Sequence, residues 1–172
     1  MVLSIIVSIL MAIAGYFLQI AVFPAFGAVT AGPSMVVAST VSIGLIFGPA
    51  AGLAVGFTGG LALDLFTGWG LGFLAVPMGA VGFLLGYYRD KVNNEHFVYA
   101  MVLAALAHIA CDLWALLVLY FSRMPSRLTF SAIWHSLLSA VLTASSAGAV
   151  HLITGALYKR AMRTKNNSLF FD

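Results

Sequence analysis

Along this chain apolar residues run in stretches of about span length, and the breaks between them are short, glycine- or proline-containing, or basic. A helix needs about 20 apolar residues to cross a bilayer, within a range of roughly 17–25. Val2–Phe23 meets that length and ends at Pro24, in a charge-free loop that reaches Pro33. Its lack of a positive n-region, and an apolar stretch longer than the ~7–15 residues of a signal-peptide core, make it an uncleaved first helix. Phe97–Phe121 also qualifies, as does a stretch within Leu128–Tyr158 long enough to tilt or protrude. Leu71–Tyr88 is adequate and carries Pro77, which predicts a kink. Ser34–Thr67 is divided at Gly48-Pro49, because proline removes a backbone donor and disfavours helix at the residue before it. Ser34–Phe47 is either a short, tightly turned span or a re-entrant segment. The first reading gives six transmembrane helices, the second five plus the re-entrant piece.

Composition agrees with this pattern. Of the 172 residues 62% are hydrophobic and 8% charged, with a mean hydropathy of +1.06, which is far outside soluble composition. The fold class expected is an all-α polytopic membrane protein. Residues 1–158 form one transmembrane domain and 159–172 a short basic cytoplasmic tail. Arg89 and Lys91 follow the fourth span, and Lys159, Arg160, Arg163 and Lys165 follow the last; Arg123 and Arg127 lie between the fifth and sixth. With six helices and both termini cytoplasmic, six basic residues fall inside and two outside, as the positive-inside rule prefers. The single Cys111 excludes an intramolecular disulfide. The net charge of +3 comes from short stretches and does not suggest nucleic-acid binding.

Glycine is concentrated in the middle of the chain: 12 of 17 fall between Gly44 and Gly86. Gly44, Gly48, Gly52, Gly56 and Gly60 stand four apart, and the next step lands on Asp64. Without side chains, helices approach backbone to backbone, a main mode of association in lipid. A four-residue step drifts by about 40° per step against the helical turn. Gly52, Gly56 and Gly60 therefore share a face, while Gly44 and Gly48 lie beyond the Pro49 break. That face serves either packing within the chain or docking of a partner helix. Asp64 is costly in hydrocarbon, by roughly 2.5–3.5 kcal/mol on insertion scales. Capping backbone N–H groups of the turn at Thr67–Gly70 would offset that cost.

Further polar groups lie on the last two spans. His108 and Asp112 are four apart and share a face with Ala104, Ala105 and Ala115, so an imidazole N–H can reach the carboxylate. The pair resembles half of the metal site of cation-diffusion zinc transporters, but the second paired motif is absent and a site needs about four ligands; no metal or other cofactor is expected. His135, Ser139, Thr143 and Ser146 fall within an arc of about 80° on the sixth span. They form either an interhelical hydrogen-bond seam, with hydroxyls satisfied on nearby carbonyls, or a conduction path. His151 lies about 160° from His135. No CxxC, HExxH, phosphate-binding glycine loop or GxSxG elbow occurs, and the chain is read as a non-enzyme. Lys159, Arg160, Arg163 and Lys165 act as a topology anchor or attract anionic lipid, at about 1 kcal/mol per basic residue. Trp69, Tyr87, Tyr88, Tyr99 and Tyr158 mark span ends, whereas Trp114 is expected to pack against neighbours.

The stretch from Phe47 to Phe66 resembles the rod shape-determining protein MreD family. The matching pattern is GF-x-x-GL-x-x-D, here Gly56, Phe57, Gly60, Leu61 and Asp64, followed by a glycine-rich turn and a GY-like ending from Gly68 to Tyr88. Pro33-Ser34 departs from it, since many relatives carry Pro-Asp there. The resemblance implies a scaffold subunit of the cell-elongation complex in the bacterial inner membrane. It would bind MreC through Gly52, Gly56, Gly60 and Asp64, and join MreB, RodA and a penicillin-binding transpeptidase. The alternative is the substrate-binding subunit of an energy-coupling-factor-type vitamin transporter, to which MreD-like chains are similar in architecture. A substrate-binding subunit requires polar groups converging on a ligand.

Overall fold

A computed structural model describes residues 13, 15–17, 19, 32–68, 70–89, 97–122 and 130–168, with side chains at 134–160 of the last segment. Among the described residues the chain is all-helical: α1 Met35–Phe47, α2 Pro49–Thr67, α3 Ala75–Tyr87, α4 Phe97–Phe121 and α5 Phe130–Ser168. Ile13, Gly15, Tyr16 and Phe17 are helical as well and precede them. The rest of the expected first span, Trp69, Lys91, Arg123 and Arg127 lie outside the described residues. Pro49–Thr67, Phe97–Phe121 and Trp134–Arg160 are long and apolar enough to cross a membrane, while α1 and α3 are shorter. The chain is a polytopic helical membrane protein.

At 13 residues, α1 is about 20 Å long against a hydrocarbon core of about 30 Å. It is the hub of the bundle, in contact with α2, α3, α4 and α5. Every residue from Val36 to Leu45 is buried, as befits a helix apolar on all sides. Its hydroxyls are largely satisfied internally: Ser39 donates to Val36 O at 3.0 Å and Ser42 to Ala38 O at 2.8 Å. Large side chains such as Leu65, Phe66, Val102, Leu106, Leu113 and Val141 are exposed on the outside, the lipid-facing surface that a span requires.

The Gly48-Pro49 break is a tight turn between two helices. Gly48 takes φ 98°, a left-handed value that glycine accommodates freely, and Pro49 opens α2, where its missing N–H costs nothing. Pro77 differs from expectation. It falls in the first turn of α3, which begins at Ala75, so no intrahelical hydrogen bond is lost there and its role is helix initiation.

The glycines let α2 and α3 meet backbone to backbone, with α1 against both. A methyl group on Gly52 would fall 2.8 Å from Gly82 C and 2.9 Å from Gly44 Cα, and one on Gly60 would fall 2.5 Å from Ala75 Cα. One on Gly56 would fall 2.8 Å from Met78 C and 2.9 Å from Thr40 Cγ2. A separate close approach occurs where Gly148 of α5 receives Met101 of α4.

Candidate ligand-binding site

The helices alternate in direction, so the bundle has two ends. One carries Gly48, the ends of α1 and α3, the start of α4 and the basic residues of α5. Arg89 lies against Gly48, where a methyl group would come 3.1 Å from its Nη1, and Phe47 meets Tyr158 edge to face at 5.5 Å. Lys159 and Arg160 are exposed there; the side chains of Arg163 and Lys165 lie outside the described residues.

The opposite end carries Asp64 and most of the polar side chains. Asp64 is 2% exposed and accepts three backbone N–H groups, from Gly72 at 2.9 Å, Leu74 at 2.8 Å and Ala75 at 3.2 Å. The carboxylate thus caps the start of α3 and holds the loop between α2 and α3, a few residues beyond the turn expected from sequence. That loop requires left-handed backbone at Gly68, Gly70 and Gly72. Trp114, read from sequence as packed, is 40% exposed and instead ties α4 to this loop by donating Nε1–H to Phe73 O at 3.1 Å.

Beside this loop, three elements bring polar groups together. Ser34 caps α1, accepting from Val37 N at 3.4 Å, and its own N–H donates to Thr143 Oγ1 at 2.8 Å. Ser139 Oγ donates to Gly32 O at 2.7 Å, and Ser146 donates back to Thr143 O at 2.9 Å within its own helix. Gln19 accepts from Val36 N at 3.4 Å. On the other flank Ser136 donates to Asp112 Oδ2, and His108 Nε2 stands 3.6 Å from the same oxygen. His135, one turn from Ser139, has its Nδ1 buried without a hydrogen-bond partner. Among the described residues no three His, Cys, Asp or Glu side chains converge as metal ligands.

This arrangement has depth. Thr143 lies nine residues along α5 from Trp134, a drop of about 13 Å, so α1 starts well below the level at which the apolar part of α5 begins. Among the described residues, α4 and α5 rise as walls above the N-terminus of α1. The two helices meet directly where Ser136 of α5 bonds Asp112 of α4.

Of the sequence-nominated residues, Asp112 is brought to α5, while Ser139 and Thr143 are brought to the segment before α1. Gly52, Gly56, Gly60 and Asp64 sit together in the α2–α3 hairpin. His151 is buried farther along α5. Sequence reasoning missed Ser34, Gln19 and Ser136. Ser34 follows Pro33 at a helix start, a recognisable capping signal; Ser136 sits about 100° around from His135 and was passed over for the seam.

The sequence model of the family described as "ECF-type riboflavin transporter, S component" matches residues 1–162. The chain belongs to that family. Membership corrects the resemblance to MreD, and with it the expected scaffold role and the partners MreC, MreB, RodA and a penicillin-binding transpeptidase. The physical reason lies in the motif. Gly56 and Gly60 seat the backbone of α3, and Asp64 caps that helix, so GF-x-x-GL-x-x-D encodes a tight hairpin whichever complex a chain joins. S components are transporter subunits and not enzymes, and the family sits in the inner membrane. A UPF0397 protein of Vibrio atlanticus is 37% identical over 73 residues, covering 42% of this S-component family member and 39% of the relative. The chain thus matches about two-fifths of that relative's length. No solved structure matches.

Proposed function

We propose that this chain is the substrate-binding subunit of an energy-coupling-factor transporter and that its substrate is riboflavin or a close flavin. The family match over residues 1–162 carries the reading. Polar side chains at the Asp64 end of the bundle, among them the Asp112–Ser136 pair and Ser139, support it, because a flavin offers both ring and polyol groups for hydrogen bonding. The partners of the proposed complex are an ATPase and a transmembrane T component. Cells lacking their own flavin synthesis, and producing this chain with such a module, should grow on low external riboflavin. Growth no better than with the module alone would contradict the reading.

The proposed orientation puts both termini in the cytoplasm. Arg89, Lys159 and Arg160 share the Gly48 end, and positive charge favours the inside. The polar site then opens outward, as uptake demands. Residues 1–158 act as the transmembrane unit, and the basic stretch within 159–172, helical to Ser168, lies against anionic lipid. A C-terminal green fluorescent protein fusion should fluoresce and an alkaline phosphatase fusion at the same point should be inactive; the reverse pair would invert the topology.

A further inference from the structure

The outer half of α4 has little packing to hold it in place. The buried residues of this helix are Ala100, Ala104, Ala107 and Cys111. Beyond Cys111, every residue to Phe121 is half-buried or exposed. The reason is the short hub: α1 begins about 13 Å below the level where the apolar part of α5 starts, so it backs only the lower part of α4. Among the described residues, two side-chain hydrogen bonds tie the outer half of α4 to the rest of the bundle. Ser136 joins Asp112 to α5. Trp114 donates Nε1–H to Phe73 O at 3.1 Å, across 41 positions of chain.

The Trp114 bond ends on a fixed point. Asp64 accepts from the N–H groups of Gly72, Leu74 and Ala75, on both sides of Phe73. Below the loop, Gly52, Gly56 and Gly60 lie directly against the backbone of Gly82, Met78 and Ala75. The α2–α3 hairpin is therefore one stiff body up to its loop, and the indole N–H fastens α4 to it. We propose that Trp114 is a positioning residue: by donating to Phe73 O, it fixes the outer half of α4 relative to the α2–α3 hairpin before any ligand arrives. Resting on the reading of this chain as a flavin-binding subunit, the consequence is kinetic. A chain whose α4 occupies the receptive position only part of the time binds with an affinity reduced by that fraction. The loss falls on association, because dissociation starts from a complex in which α4 is already in place.

Two measurements on the full chain in nanodiscs test the assignment, and the first needs no ligand. Spin labels at Val76→Cys and Leu117→Cys, in a Cys111→Ala background, report the separation of α3 and α4 by pulsed electron resonance. Val76 lies in the first turn of α3 and Leu117 one turn beyond Trp114, and both are exposed. With Trp114 in place the labels should give one narrow distance distribution. Trp114→Phe keeps an aromatic ring at a position that is 40% exposed and removes only the donor, so it should fold and give a broader distribution. Equal widths would overturn the proposal. The second measurement is stopped-flow quenching of flavin fluorescence. Trp114→Phe should slow riboflavin association roughly threefold to tenfold, the range spanned by one hydrogen bond, and leave dissociation within about twofold. Faster dissociation with unchanged association would make Trp114 a ligand contact and contradict the positioning role; unchanged rates would overturn it as well. A wild type that binds no riboflavin sinks the transporter reading, while the label distances still decide whether Trp114 positions α4.

Discussion

Gly52→Ala is expected to destabilise the protein by about 2 kcal/mol, although alanine is the better helix former by about 1 kcal/mol. The added methyl group would meet Gly82 O and C and Gly44 Cα at once. All three are backbone, so no side chain can swing aside, and α2 and α3 must separate along their length. Overpacking of this kind costs about 1–3 kcal/mol, and separation also forfeits dispersion contacts all along the hairpin. Gly82→Ala should behave in the same way, since its methyl group would meet Gly52 O and C. Gly155→Ala is the matched control on α5. Among the described residues nothing lies within 4 Å of a methyl group there, so it should be neutral or stabilising by up to about 1 kcal/mol. Thermal unfolding in detergent, followed by loss of the monodisperse peak, separates the cases. Equal behaviour of Gly52→Ala and Gly155→Ala would show that the α2–α3 contact is looser than described.

The second large effect belongs to Asp64→Ala. Three backbone N–H groups lose their acceptor at a buried site, and each unsatisfied buried group costs about 1–3 kcal/mol. Some relaxation toward water is available, because Leu71 in the same loop is exposed. A net loss of at least about 3 kcal/mol is therefore expected. Asp64→Asn keeps one carbonyl acceptor but turns an NH₂ group toward backbone donors, so it should fall between wild type and alanine. Leu→Ala changes on the lipid face, at Leu65 for instance, provide the comparison for a residue of the same helix end. An Asp64→Ala protein as stable as wild type would mean that the capping bonds contribute nothing.

Much of the fold was legible because membrane helices obey two strong constraints, length and backbone satisfaction. The break at Gly48-Pro49 and the long apolar runs follow directly from them. Pro77 was misread because a proline in an apolar run looks the same whether it kinks a helix or starts one; only the capped loop ending at Leu74 decides between these. Asp64 could be recognised as a buried acid in need of donors, but its partners lie 8 to 11 residues on, beyond what local spacing specifies. The polar site was harder to read. His108–Asp112 is an i, i+4 pair and visible as such, whereas Ser136 meets Asp112 and Ser139 meets Gly32 only through the packing of separate segments. The MreD resemblance failed for the same reason. Its motif records how two adjacent helices pack and carries no information about the distant ends of α4 and α5, where a ligand would be held.

Equilibrium binding of riboflavin to the purified, ligand-free full chain in nanodiscs decides whether this chain is a riboflavin-binding subunit. Saturable quenching of flavin fluorescence with one riboflavin per chain is expected, in the absence of any partner subunit. No saturable binding by a chain that remains helical and monodisperse would contradict it.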